Sequence, residues 1–167
     1  QGDAWHPRFN KSLVLKSPGR KIMEKQIVFL PTPRHITWHE GSFTLTSGRL
    51  ILLDPRAPQD LRFTGVKFRD AIQQQLGAKW DLVASWAVPA ADIALTLLIM
   101  PEAVPQPEGY RLRITPQGIT LHSHDAAGSF YGVCTLIQLI TQAQDATLPC
   151  LEIKDWPDFP ARGVMLD

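Results

Sequence analysis

His122 and His124 stand two residues apart in Leu121-His122-Ser123-His124-Asp125. On an extended chain two such imidazoles point the same way, and with Asp125 beside them they offer the beginning of a metal site. One strand supplies only two ligands, however, so solvated or hydrogen-bonded imidazoles are the expected outcome. His35 and His39 have the i, i+4 spacing of a zinc-binding helix. That chemistry needs Glu directly after the first His, where this chain has Ile36, and Pro33 just upstream disfavours helix. Ser129, in Gly128-Ser129-Phe130, lacks the pattern of a nucleophile elbow, and no glycine-rich phosphate loop occurs. Asp155 and Asp158 could act as an acid and a base, but Pro157 and Pro160 stiffen the segment that carries them, so solvated or capping roles are expected. Five tryptophans, among them Trp80, Trp86 and Trp156, are suited to stacking on sugar rings but are scattered along the chain. Cys134 and Cys150 fall in apolar runs and read as buried free thiols. Residue types alone therefore assign no catalytic residue, no metal ligand and no cofactor.

The chain that must position these residues has 167 residues, 44% of them hydrophobic and 20% charged, with a formal charge of +1. Those values suit one soluble globular domain. At this length a folded chain hides about two-thirds of its unfolded surface, so its core requires neither metal nor disulfide. The near-neutral charge argues against nucleic acid as a partner. No stretch approaches the ~18 apolar residues of a membrane span, and Leu13-Val14-Leu15 is too short for a signal-peptide core. Cytoplasm and export both remain compatible with the sequence. Arg8, Lys11, Lys16, Arg20 and Lys21 stand against Asp3 alone in residues 1–22, which are expected to be a leader, tag or disordered arm ahead of Met23.

Ile27 to Leu30 is expected to form a first strand closed by Pro31-Thr32-Pro33, and Phe43 to Leu53 one or two more. Leu61, Val66, Phe68, Ile72 and Leu76 roughly follow helical spacing between Asp60 and Leu76, with Gly77 placed to end the helix. Ile93 to Met100 has the density of a central strand, and the three prolines between Pro101 and Glu108 make a loop. Tyr110 to Thr115 and Ile119 to His124 alternate about Pro116-Gln117-Gly118, which is a hairpin. Asp125 is placed to cap a second helix with the apolar stripe Phe130, Val133, Cys134, Leu136, Ile137 and Ile140. Gly128 and Gly132 fall on one side of it, so its backbone is expected to lie close to a sheet. Leu148 to Ile153 is another strand, Asp155 to Pro160 an extended linker, and Arg162 to Asp167 the opening of a new buried strand. The order gives an α+β fold: a two-layer sandwich with a mainly antiparallel sheet and two helices on one face.

Three stretches carry a resemblance: Glu108-Gly109-Tyr110-Arg111-Leu112-Arg113-Ile114-Thr115, then Gly118-Ile119-Thr120-Leu121, then Ala127 through Ile140 with its Gly128-Ser129-Phe130-Tyr131-Gly132-Val133. With Leu148-Pro149, Ile153-Lys154-Asp155 and Asp158-Phe159-Pro160-Ala161-Arg162-Gly163-Val164-Met165-Leu166-Asp167, they resemble the N-terminal domain of family 20 glycoside hydrolases, the β-N-acetylhexosaminidases. The likeness is specific over residues 108–167 and looser from about residue 27. The same auxiliary domain precedes family 84 and family 67 glycosidases, but the run from Arg162 to Asp167 favours family 20.

The resemblance implies a leader over 1–22, the auxiliary domain over 23–157, and over 158–167 a linker entering a (β/α)8 catalytic barrel. Such enzymes remove terminal N-acetylhexosamine with retention, using the substrate's acetamido oxygen as nucleophile. Their Asp-Glu pair lies later in the barrel, so the chain alone is expected to be inactive. Arg162 matches the family's arginine that grips the terminal sugar's hydroxyls, for which a guanidinium fork is suited. The expected partners are the barrel itself and, in the full enzyme, a glycan. An apolar patch should be left uncovered around the helices or the Trp156–Phe159 linker, and it could drive self-association. The rival reading is a free-standing carbohydrate- or protein-binding module.

Overall fold

A computed structural model describes residues 27–159. The expected leader, Arg162 and the expected first barrel strand lie outside the described residues. The chain runs β1 (His35–Thr44), β2 (Arg49–Leu53), α1 (Pro58–Leu76), β3 (Trp80–Val83), a 3-10 turn (Ala90–Asp92), β4 (Ile93–Ile99), β5 (Tyr110–Thr115), β6 (Gly118–Ser123), α2 (Ala126–Gln142) and β7 (Thr147–Asp155).

The hairpin forms as its alternation requires, with Tyr110 opposite Ser123 and Leu112 opposite Leu121. Around it grows one seven-stranded sheet in the order β1-β7-β5-β6-β4-β2-β3. The expected antiparallel arrangement holds for β1, β7, β5 and β6, whereas β6, β4, β2 and β3 pair in parallel, so the sheet is mixed. The parallel half follows from α1, which carries the chain from the end of β2 back to the start of its neighbour β3.

Both helices lie on one face. Leu53, Leu97 and Leu121 are consecutive cross-strand partners and therefore point the same way. A side chain on Gly65 of α1 would strike Leu53, and one on Gly132 of α2 would strike Leu121. The core between the layers holds Leu61, Phe68 and Ile72 from α1, Val133, Leu136 and Leu139 from α2, and Trp80, Leu95, Leu112 and Ile153 from the sheet. α1 ends at Gly77, whose backbone takes φ +67° and whose N–H donates to the Gln73 carbonyl at 3.0 Å, the conformation glycine adopts without strain. Asp125 caps α2 by accepting from the Gly128 N–H at 2.8 Å, and its second oxygen accepts from the Glu108 N–H at 3.0 Å. That one carboxylate ties the helix start to the end of the proline-rich loop.

Several elements differ from expectation, among them the short strand β3, which no expected element covered. Ile27 to Leu30 is outside the sheet; it lies as a strap along α2, where side-chain amides take its hydrogen bonds. The edge strand is His35–Thr44 instead, almost wholly exposed and therefore without the apolar alternation that would announce it. The buried line of α2 is Gly128, Ser129, Gly132, Val133, Leu136, Leu139 and Ile140, while Phe130, Cys134 and Ile137 are only half-buried. The small residues set this line because the helix axis sits so close to the sheet that a bulky stripe would not fit between them.

Candidate functional site

The histidines do not converge. His122 faces away from the helices between its cross-strand neighbours Arg111 and Leu98. Burial, then the nearby Arg111 charge, hold its pKa below the ordinary imidazole value. His124 lies within hydrogen-bond distance of the Val104 carbonyl, 2.9 Å from Nδ1, and Asp125 is used as a cap. His35 and His39 are exposed on β1, His35 beside the Trp156 ring at 5.6 Å. Among the described residues no three His, Cys, Asp or Glu side chains could share a metal ion.

The other candidates have structural partners. Ser129 is fully buried, its hydroxyl 2.8 Å from that of Ser123. Asp155 accepts from the Arg34 N–H at 3.2 Å, Asp158 pairs with the Arg34 guanidinium, and Arg34 Nε donates to the Trp156 carbonyl at 3.0 Å. Arg34 thus clamps the outgoing linker to the residue before β1. Cys150 is buried and Cys134 half-buried, both thiols free and pushed up by burial. Arg162 lies outside the described residues.

What the fold exposes instead is an aromatic groove on the outer side of the helix layer. Phe63 of α1 is 69% exposed and stacks on Phe130 of α2, with ring centroids 5.8 Å apart. Tyr131 follows, the ammonium of Lys67 sits 5.6 Å from the Phe130 ring, and a cavity of about 350 Å³ opens between Phe63, Phe130, Tyr131 and Asp60. The strap beside α2 adds Val28 and Leu30, 62% and 84% exposed. Phe63 and Tyr131 are thus exposed beside the Phe130 ring, and Val28 and Leu30 are exposed on the strap that runs along the same helix. Phe63 and Tyr131 were not singled out from the sequence; the available signal was an aromatic residue set off the buried stripe of its helix.

Similarity to known proteins is consistent along the chain. Residues 26–156 match the family described as "Glycosyl hydrolase family 20, domain 2". The chain is 31% identical over 138 residues to an N,N'-diacetylchitobiase of Vibrio harveyi, a stretch covering 83% of this chain and 14% of that protein. It is 29% identical over 154 residues to a β-hexosaminidase of Porphyromonas gingivalis, covering 86% and 19%. The solved Flavobacterium johnsoniae chitobiase superposes with a TM-score of 0.64 at 22% identity, over 82% of this chain and 22% of that one, which speaks for the fold. The chain therefore spans less than a fifth of these two curated relatives. Among families 20, 84 and 67 the match selects the first. The fold and the matched residues together place this chain in glycosyl hydrolase family 20, as that family's domain 2.

Proposed function

We propose that this chain is the auxiliary domain of a β-N-acetylhexosaminidase and that it supports the catalytic barrel by packing its helix layer against it. The observation that carries this reading is the Phe63–Phe130 stack, with Phe63 open to solvent, between two helices whose opposite, inner faces are buried against the sheet. Covering one such phenylalanine is worth about 1.5–3 kcal/mol, enough for a few residues to hold two domains in a fixed relation. The division into residues 23–157 and 158–167, and the role of Arg162 in gripping the terminal sugar, belong to the same proposal.

The hydrolysis itself falls to the barrel. There a Glu would protonate the leaving oxygen while the preceding Asp orients the substrate's acetamido group, which attacks the anomeric carbon. Neither residue of that pair is assigned in this chain. The test is hydrolysis of a chromogenic aryl N-acetyl-β-glucosaminide by the longer polypeptide and by the 167-residue chain separately. Activity is expected in the longer polypeptide alone. Absence of hexosaminidase activity from the longer polypeptide would overturn the reading.

A further inference from the structure

The sheet face opposite the helices carries a cleft of about 520 Å³. Its floor is a polar patch set by strand register: Lys154 is opposite both His35 and Arg111, and Glu152 is opposite Thr37 in the next row. Arg111 Nη2 donates to Glu152 Oε2 at 2.8 Å, and Lys154 Nζ lies 3.4 Å from Glu152 Oε1. One wall is Trp156, held with the Arg34 guanidinium 4.8 Å over its ring and the His35 imidazole tilted 38° to it. Gly109 permits that close wall, since a Cβ there would come within 3.3 Å of the Trp156 Cβ. The loop bearing Gln106 forms the other wall.

These groups match a neutral sugar better than a polyanion. Glu152 contacts both Arg111 and Lys154 and leaves the floor at a net charge of about +1, well short of the clustered free cations that a polyanion requires. Arg111 and Lys154 donate while Glu152 accepts, the complement of adjacent hydroxyls on a pyranose ring. The indole and imidazole supply apolar surface for the C–H face of that ring. Gln106 and Thr37 both line the cleft and add an amide and a hydroxyl able to meet an acetamido group.

We infer that this cleft, between Trp156 and Gln106 with Arg111, Glu152 and Lys154 at its floor, is a glycan-binding site that takes N-acetylhexosamine units. The choice of sugar rests on the hexosaminidase reading; the cleft and its hydroxyl-matching floor do not.

The experiment is a titration of the ¹⁵N-labelled 167-residue chain with N-acetylglucosamine trisaccharide, followed by amide and indole N–H shifts. Saturable shifts are expected at His35, Gln106, Arg111, Glu152, Lys154 and the Trp156 indole, with Kd on the order of millimolar. Gln106→Ala and Glu152→Gln should each weaken binding about tenfold while the spectrum elsewhere stays that of the folded chain. Absence of shifts at these residues, or undiminished binding by both variants, overturns the proposal. A sulfated disaccharide binding in preference to the trisaccharide overturns the neutral-sugar assignment. Hydrolysis by the longer polypeptide is scored independently. Hydrolysis without trisaccharide binding defeats the cleft alone, and binding without hydrolysis defeats the parent-enzyme reading alone.

Discussion

Gln142 pairs with Val28 as one strand pairs with another: the Val28 N–H donates to Gln142 Oε1 at 2.9 Å, and Gln142 Nε2 donates to the Val28 carbonyl at 2.8 Å. One helical turn earlier Gln138 repeats the pattern on Leu30, at 2.8 and 3.1 Å. Two glutamines at i, i+4 share a helix face, and residues 28 and 30 share one edge of an extended chain, so the two periodicities coincide here. The double variant Gln138→Ala/Gln142→Ala is expected to release the strap. Amide exchange at Val28 and Leu30 should accelerate at least tenfold, while global stability falls by only about 1–2 kcal/mol because these bonds are exposed. Unchanged protection at both amides would contradict the pairing.

Gly128 leaves no room for a side chain, since a Cβ there would overlap the Gly109 carbonyl oxygen, a backbone atom that cannot swing aside. Gly128→Ala should therefore cost about 2–4 kcal/mol in denaturant unfolding. At Gly77 nothing lies within 4 Å of such a Cβ, and only the φ of +67° opposes substitution. Gly77→Ala should cost about 1 kcal/mol. Equal costs at the two positions would show that the helix does not lie on the hairpin as described.

Asp54 is 1% exposed, and its carboxylate accepts from Arg56 Nε and Nη2 at 2.9 and 2.8 Å and from the Ile99 N–H at 3.2 Å. The Arg56 hydrogen bonds hold its pKa below the ordinary carboxylate value of 3.8, against a smaller opposing effect of burial. A depressed folded-state pKa stabilises the fold above the unfolded pKa and is lost as pH falls through the folded value. Asp54→Asn should cost about 2 kcal/mol at neutral pH, and its deficit against the native chain should narrow on acidification below about pH 4. A deficit independent of pH would assign the loss to packing alone.

Phe63 contributes nothing to the core of the described domain, so Phe63→Ser should leave the stability of the 167-residue chain within about 0.5 kcal/mol. In the longer polypeptide the same change is expected to lower the melting temperature by several degrees, because the proposed packing covers the ring there. An equally small effect in both would remove the groove from the domain contact. Differential scanning calorimetry of both pairs provides the comparison.

Elements with a one-sided apolar pattern were legible in the sequence. The hairpin from Tyr110 to Ser123 has period two, α1 stops at Gly77, and Asp125 opens α2, each for a local chemical reason visible in the residues themselves. What the sequence concealed depends on distant partners. β1 is exposed at eight of its ten positions, all but the buried Phe43 and the half-buried Ile36, so only pairing with β7 makes it a strand. The strap looks like a strand because its backbone is satisfied by side chains 108 and 114 residues away. The helix-layer groove arises only when Phe63 and Phe130 meet across two helices, and the cleft only when β5, β7 and the linker are brought together.

Hydroxyl-radical footprinting of Phe63 and Tyr131, with Trp86 as an internal reference, tests the central claim most directly. In the 167-residue chain all three should label readily, as their exposures of 69%, 37% and 59% require. In the longer polypeptide Phe63 and Tyr131 are expected to become protected while Trp86 labels as before. Labelling of Phe63 and Tyr131 that is the same in both proteins would contradict a helix layer covered by the catalytic domain.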